Sequence, residues 1–444
     1  MLKTNLDTTI KTLAKTIRFD RVSIARTTVN TSNGITTFMV TFSVVYQGNT
    51  YEYDGFARFP EISINDKIWE LWLVCIYLHA LNLQPLTKSM ILPPKELSRH
   101  SIRFCEDLHS HNYQIWHKVL GRSGNICSYN ITDYEQCQKY KIPDGIGVAM
   151  SGGKESILCF HMMEDLGYKT VPIFVDYIGR IQRREGSSMY NKLTGDGKHP
   201  VSIQSDLIDL LRLFPLEFGK HSMYLSPTIM LILMYSYNAG LRTLVVGNEY
   251  DNTCPIIEPN GVPYYGDNYE QSTVFERKLT QYLKDISINI EVFSPIYGLS
   301  ETCIQYLVTK TPYLDFQESC LQPISKSGKV HSCGICSKCK RIAAIMTALG
   351  YKSPYFSSDI FSVDPNQIFN SQNGLNEAET LLYLVNHQGY NISSDIESAF
   401  HWDIFENLVD DSHPIISKRI KTYLDSRVPK SLNTIIGVSN YERS

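Results

Sequence analysis

Residues 145–156 read G-I-G-V-A-M-S-G-G-K-E-S, and the fold turns on this stretch. Gly145 to Met150 is a short apolar run, as expected of a buried strand. Glu155 to Leu166 has helical periodicity and stops at Gly167. Between them lie two glycines flanked by Ser151 and Lys154. Gly152 and Gly153 let the backbone turn tightly and approach an oxyanion with no Cβ in the way. The turned amides, with the free N–H groups at the helix start, then form a natural pyrophosphate cradle. Ser151 and Ser156 add hydroxyl donors, and Lys154 adds charge. The alternative is a plain helix N-terminus with serine as its cap and glycine as a turn residue. The Walker pattern G-x-x-x-x-G-K-[ST] is absent.

Downstream, the same alternation continues. Thr170 to Asp176 is a second apolar run, Ser226 to Gly240 fits a helix ending at glycine, and Thr243 to Val246 is a third strand. Strand, helix, strand with short links predicts an α/β fold: a parallel sheet with helices on both faces. Right-handed crossovers place the loops that follow the strands on one edge, where ligands of such sheets bind.

Upstream, Thr36 to Tyr46 and Tyr51 to Phe59 flank Gln47-Gly48-Asn49 and read as a hairpin. A helical-looking segment precedes the pair, and the apolar positions of Asp66 to Asn82 suit a buried helix. Three regions follow: an N-terminal α+β domain over 1–140, the sheet domain over 141–354, and a mainly helical extension over 355–444. The extension holds helical patterns at Glu377 to Asn386 and Ile416 to Ser426.

Cys320, Cys333, Cys336 and Cys339 lie in E-S-C-L-Q-P-I-S-K-S-G-K-V-H-S-C-G-I-C-S-K-C-K-R. C-x2-C spacing lets two sulfurs of one turn reach one ion, and four thiolates complete a closed tetrahedral zinc site of structural type. His331 is an alternative ligand. An iron–sulfur cluster and free buried thiols are the rival readings, but three cysteines within seven residues argue against packing alone.

The whole chain has 444 residues, 43% of them apolar and 20% charged, with a formal net charge of −3. That balance suits a soluble globular protein of two or three domains. It carries no global footprint for nucleic acid or an anionic membrane. No apolar run reaches 18 residues, so no membrane span is expected. The first 19 residues lack a secretory pattern, which predicts a cytoplasmic protein. Eleven cysteines in a reducing compartment read as buried small hydrophobes plus clustered metal ligands.

The loop S-G-G-K-E-S resembles the S-G-G-x-D-S signature of PP-loop ATP pyrophosphatases, with Glu155 in the place of the usual Asp. Joined to C…C-x2-C-x2-C, it resembles 7-cyano-7-deazaguanine synthase and its relatives. Phe174-Val175-Asp176-Tyr177, with Arg180 nearby, looks like that family's F-D-Y-G-x-R stretch. Ser226 to Gly247 is similar to its helix and following strand. Four other stretches look like motifs of the UDP-N-acetylmuramoyl-L-alanyl-L-glutamate epimerase group. These are Gly247-Asn248-Glu249-Tyr250, Asn268 to Ser272, Phe293-Ser294-Pro295 and Leu299-Ser300-Glu301. Synthase-like proteins with added domains occur in anti-phage defence operons, where the resemblance suggests a protein partner.

The resemblance implies that ATP, with Mg2+ bridging its phosphates, activates a carboxylate as an acyl-adenylate and releases pyrophosphate. Ser151, Lys154, Glu155, Ser156 and Asp176 are the candidate catalytic residues. The nucleotide site adds Gly152, Gly153, Arg180, Gly247, Asn248 and Glu249. Asn248, Glu249, Asp251 and Glu270 are candidates for the substrate side, with capping or surface roles as the alternative. Asp176 is either a nucleotide or metal contact or a strand-end residue, and Arg180 and Arg183 are either clamps or solvated charges. The expected substrate is a small carboxylate, deazapurine-like or muramoyl-peptide-like. Three outcomes stay open: ligation to ammonia or an amine, epimerisation through the same adenylate, and a non-catalytic nucleotide-binding scaffold.

Overall fold

The computed structural model describes residues 19–120, 145–177, 188–208, 223–249, 256–257, 263–264, 266–299, 301–320, 324–326, 329–348, 351 and 414–427. Arg180, Arg183, Asp251 and the expected helix at Glu377 to Asn386 lie outside these residues.

The chain opens with a meander of three long strands, β1 (Arg21–Ser32), β2 (Ile35–Tyr46) and β3 (Asn49–Pro60). Both connections are two-residue turns in which each central residue has positive φ: Asn33 (52°) with Gly34 (71°), and Gln47 (48°) with Gly48 (77°). This geometry matches the right-handed twist of the flanking strands, which is why such turns close tight hairpins. The second hairpin is the one expected from the sequence. Strand β1 was not expected, although Asn33-Gly34 between β-rich runs is a strong hairpin signal.

Helix α1 (Asp66–Leu81) starts at Asn65, whose side chain accepts from the N–H groups of Lys67 and Ile68 at 3.0 and 3.1 Å. Every residue from Leu71 to Leu81 is buried. A helix that is apolar all round needs cover on several sides. It is packed against β1 and β2, helix α2 (Arg99–Leu120) and helix α5 (Leu225–Asn238). Trp72 Nε1 donates to Thr27 Oγ1 at 2.7 Å, so the indole keeps its partner while buried.

Next along the chain come β4 (Gly145–Met150), α3 (Lys154–Asp165), β5 (Lys169–Tyr177), α4 (Ser188–Gly195), β6 (Val201–Ser205), β7 (Thr243–Val245), α6 (Thr273–Asp285), β10 (Glu291–Phe293) and α7 (Glu301–Val308). Two short strands, β8 (Ile256–Ile257) and β9 (Pro263–Tyr264), pair apart from the main sheet. Among the described residues the main sheet has eight strands in the order β1-β2-β3-β6-β5-β4-β7-β10. From β6 to β10 all neighbours are parallel. The fold is therefore α/β with a mixed sheet.

Alternate residues of the parallel strands face two different cores. Ile173, Val175, Ile203 and Leu244 join the core built with α1, α2, α5 and α6. Ile146, Val148, Met150, Phe174 and Val245 join the core built with α3 and α7. Both faces are covered by helices, as buried parallel strands require. The second core also takes in Ile420, Tyr423 and Leu424 of helix α9 (Pro414–Arg427). Arg419 of α9 donates to the Leu166 carbonyl at the C-terminal end of α3, where cations are favoured.

The expected domain boundary near residue 140 lies outside the described residues, and one sheet and one core include residues from both sides of it. Antiparallel pairing of Ala57 with Ser205 and Arg58 with Gln204 joins the N-terminal meander to the parallel strands. Asp206 Oδ1 accepts the Phe56 N–H at 2.7 Å, and Ser205 Oγ donates to the Phe56 carbonyl at 3.0 Å. Asn82, just past α1, clasps Met223 ahead of α5 through two 2.8 Å hydrogen bonds, donating to its carbonyl and accepting its N–H. Among the described residues no helix is long and apolar enough to cross a membrane.

Truncating Asn82 leaves two buried backbone groups without partners, each costing about 1–3 kcal/mol. Asn82→Ala is expected to lower unfolding stability by at least about 2 kcal/mol, read from the shift of the urea midpoint. Acid should weaken the fold through its histidines. Loss of water around the ring lowers His79 to about 3 and His109 to about 4, and burial with the nearby Lys278 charge lowers His111 to about 4. These rings are neutral in the fold and take up protons on unfolding below the usual imidazole value. Their contribution is full above about pH 6.5 and is lost as pH falls toward 4. The slope near pH 5 should reach about 4 kcal/mol per pH unit, with uptake of up to about three protons. Urea unfolding at several pH values measures it.

Candidate anion site and four-cysteine clip

The chain runs from β4 to β5 and β6 on one side and later sets β7 and β10 on the other. The order thus reverses between β4 and β7, which makes the carboxyl ends of these two strands the crevice where open α/β sheets bind ligands. Ser151 to Ser156 follows β4, and Gly247 to Glu249 follows β7. Asp176 lies at the same edge, near the end of the neighbouring strand β5, and is buried.

The loop is folded by its own hydroxyls. Ser151 N–H donates to Ser156 Oγ and Gly153 N–H to Ser151 Oγ, both at 3.2 Å, while Ser156 Oγ donates to the Gly153 carbonyl at 3.0 Å. Gly152 has φ of 78°, a left-handed conformation that favours glycine. Gly153 occupies the N-cap of α3 and makes no side-chain cap hydrogen bond. A Cβ on Gly153 would stand 3.0 Å from Glu155 Oε2 and 3.2 Å from Ser151 Oγ, filling the concave side of the turn. Gly247 answers to a different constraint. Its Cβ would lie 2.9 Å from Glu155 Cβ and 3.1 Å from the Glu155 carbonyl carbon, so the strand end touches the first turn of the helix.

Lys154 does not join the cradle as an exposed charge. Its side chain is 0% exposed and turned under the loop, where Nζ meets Glu155 Oε1, Glu249 Oε2 at 2.7 Å and Glu301 Oε1 at 3.4 Å. Two further cations complete the cluster. Arg341 Nε sits 2.6 Å from Glu301 Oε2, and Lys338 Nζ sits 3.9 Å from Glu155 Oε1. Burial opposes ionisation of Glu155, but Lys154 and Lys338 outweigh it and hold this carboxyl at about 2. Glu301 is likewise lowered, against burial, by Lys154 and Arg341. Glu249 goes the other way: burial and the charges of Glu155 and Glu301 raise it despite Lys154.

Two other candidates, Asn248 and Glu270, are engaged with neighbouring elements. Asn248 donates through Nδ2 to Glu276 Oε1, and its backbone is bracketed by Ser294, whose Oγ accepts the Asn248 N–H at 3.2 Å and donates to the Asn248 carbonyl at 2.8 Å. Glu270 accepts the N–H groups of Ser226 and Leu225 at 2.8 and 3.3 Å and so caps α5. Glu301, Lys338, Arg341 and Ser319 were not expected at this site. They meet it only through tertiary packing, and Glu301 stood out in the sequence solely as part of a motif resemblance.

The four cysteines converge. A hairpin of β11 (Ile324–Lys326) and β12 (Lys329–His331) returns the chain between Cys320 and Cys333, and helix α8 (Ser337–Ala348) carries Cys339. Gly334 has φ of 72°, which lets the chain turn between Cys333 and Cys336. All four sulfurs lie within 4.8 Å of one another. Cys320 and Cys336 are 3.9 Å apart, and Cys333 and Cys339 are 4.0 Å apart. Sulfurs at tetrahedral corners around one zinc ion are about 3.8 Å apart. An iron–sulfur cluster would put thiolates on separate irons and spread them further. Backbone N–H groups of Cys333, Cys336 and Cys339 point at the sulfurs of Cys320, Cys333 and Cys336 at 3.2, 3.3 and 3.5 Å. Such donors stabilise thiolate charge and fix ligand orientation. The set fits a single metal ion such as zinc.

A family model described only as a family of unknown function, DUF6395, matches residues 282–408. The match takes in Glu301, Arg341 and all four cysteines and leaves the glycine loop outside. No curated protein matches the chain.

Two glycines test the loop separately. Gly152→Ala should cost about 1–2 kcal/mol through the left-handed conformation alone. Gly247→Ala should cost about 1–3 kcal/mol by overpacking against the start of α3. Denaturant midpoints measure both, and Gly240→Ala, at positive φ with open space around its Cβ, is the control for conformation without contact.

Proposed function

We propose that the chain is an adenylating enzyme of the PP-loop ATP pyrophosphatase type, acting on a carboxylate. The observation that carries this reading is the position of Ser151 to Ser156, a double-glycine turn at the carboxyl end of β4 beside the reversal of strand order. Amides around Gly152 and Gly153, with the exposed Ser151 hydroxyl, suit the phosphates of ATP. Glu155 and Asp176 supply acidic oxygens at the same edge for Mg2+, which when bound would offset phosphate charge. The buried, ion-paired floor beneath the loop keeps this geometry fixed before substrate arrives, so little reorganisation accompanies the reaction.

In the reaction a carboxylate oxygen attacks the α-phosphorus, the bond to the bridging oxygen breaks, and pyrophosphate leaves. The acyl group then carries AMP, a far better leaving group than oxide. Attack by ammonia or an amine gives an amide, AMP and a proton, as in the 7-cyano-7-deazaguanine synthase-like reading, with a small molecule or a protein partner as acceptor. Loss and return of an α-proton from the same adenylate would give epimerisation instead. Consumption of amine separates the two.

The test is incubation of the full chain with ATP, Mg2+ and zinc, with and without carboxylates of deazapurine and muramoyl-peptide type, following AMP and pyrophosphate. Equal amounts of AMP and pyrophosphate are expected, with Ser151→Ala reducing the rate about 10²-fold, as loss of one transition-state donor does. Release of ADP would sink the adenylation reading. Tight ATP binding without turnover under all conditions would leave a nucleotide-binding scaffold in its place.

A further inference from the structure

The segments flanking the cysteines grip the glycine loop from both ends. Ahead of Cys320, the Glu318 N–H donates to the Gly152 carbonyl at 2.7 Å, and Ser319 Oγ accepts the Lys154 N–H at 3.1 Å. Ser319 also takes a 3.2 Å hydrogen bond from Gln317, whose amide is paired with that of Gln305 on α7 by two 2.9 Å bonds. On the other side, Lys338 and Arg341 flank Cys339 on α8 and reach Glu155 and Glu301. The sulfurs of Cys320 and Cys339 are within 4.8 Å of each other, so one ion would lock both grips in place.

Charge makes the link more than mechanical. Beneath the loop, three carboxyl groups, Glu155, Glu249 and Glu301, face the single buried ammonium of Lys154. Lys338 and Arg341 of the clip bring two further cations to Glu155 and Glu301. Without α8, less compensated negative charge would lie under a turn proposed to bind a polyanion, and like charges at this range repel strongly in a buried setting.

We infer that the four-cysteine clip is a positioning device for the loop: metal occupancy, relayed through Ser319, Arg341 and Glu301, sets the loop's order and offsets negative charge in its floor. Loop order and metal occupancy are then one equilibrium, and anion binding joins it reciprocally. The anion half rests on the proposed phosphate role of the loop; the ordering half does not.

The experiment uses the full chain loaded with Co2+, whose thiolate charge-transfer band reports occupancy, and the same protein stripped by chelator under reducing conditions. Amide exchange is followed for peptides covering 150–160, with 38–60 as reference. Stripping is expected to speed exchange of 150–160 at least tenfold and leave 38–60 unchanged. Fully loaded Arg341→Gln, with an unchanged cobalt band, should also lose loop protection, and Arg341→Lys should restore much of it. Pyrophosphate should bind the loaded wild type about tenfold tighter than the stripped protein and raise metal affinity by the same factor. Unchanged exchange of 150–160 on stripping overturns the inference. So does an Arg341→Gln loop that stays fully protected while both peptides deprotect together in the stripped protein, since the metal would then hold the whole fold. A loaded protein whose loop responds to metal as expected but binds neither pyrophosphate nor ATP refutes the phosphate role and leaves the metal-to-loop coupling standing.

Discussion

The ammonium group of Lys154 is buried among three glutamates, and the arrangement of the site depends on that one cluster. A charge taken out of water is tolerable only when it is paired and its partners are satisfied. Each glutamate comes from a different place: Glu155 from the loop itself, Glu249 from the end of β7, and Glu301 from the start of α7. Pairing all three with one lysine forces these elements to meet at one edge of the sheet. Arg341 and Lys338 then bring in the cysteine clip, because two of the carboxylates still need cations.

The backbone makes this convergence possible. Parallel strands deliver their following loops to the same edge, and the reversal of strand order between β4 and β7 opens a crevice there. Gly247 lets the end of β7 press on the first turn of α3, so the two sides of the crevice are in contact rather than merely adjacent. The N-terminal meander extends the same sheet by three strands, while α1 packs on its face and against α5. It thus braces the strands that carry the site while lending no residue to the charged cluster.

Much of the central fold was legible along the chain. The strand at Gly145 to Met150, the helix ending near Gly167, the strand ending near Asp176 and the helix ending near Gly240 are all found within a residue or two. Local patterns signal these elements because apolar periodicity and glycine stops act over a few residues. The helix at Ile416 to Ser426 is also found, as Pro414–Arg427. Short strands β6 and β10 were missed, since neither carries the continuous apolar run that marks Thr243 to Val246. The continuity of the N-terminal region with the parallel strands was equally unreadable, because the contacts that join them, such as Ala57 with Ser205 and Asn82 with Met223, lie far apart in sequence.

The sequence by itself determined the glycine turn and the four-cysteine set. Both are local: a left-handed Gly152 and C-x2-C spacing need only a few neighbouring residues to take shape. Only the tertiary structure decided which way Lys154 points, which groups Asn248 and Glu270 bond to, and that Glu301, Ser319 and Arg341 meet the loop and its lysine. The reason is physical. A side chain's partner in a buried ion pair is chosen by desolvation and packing across the fold, and residue 154 carries no mark of residues 249, 301 and 341 until the sheet brings them together.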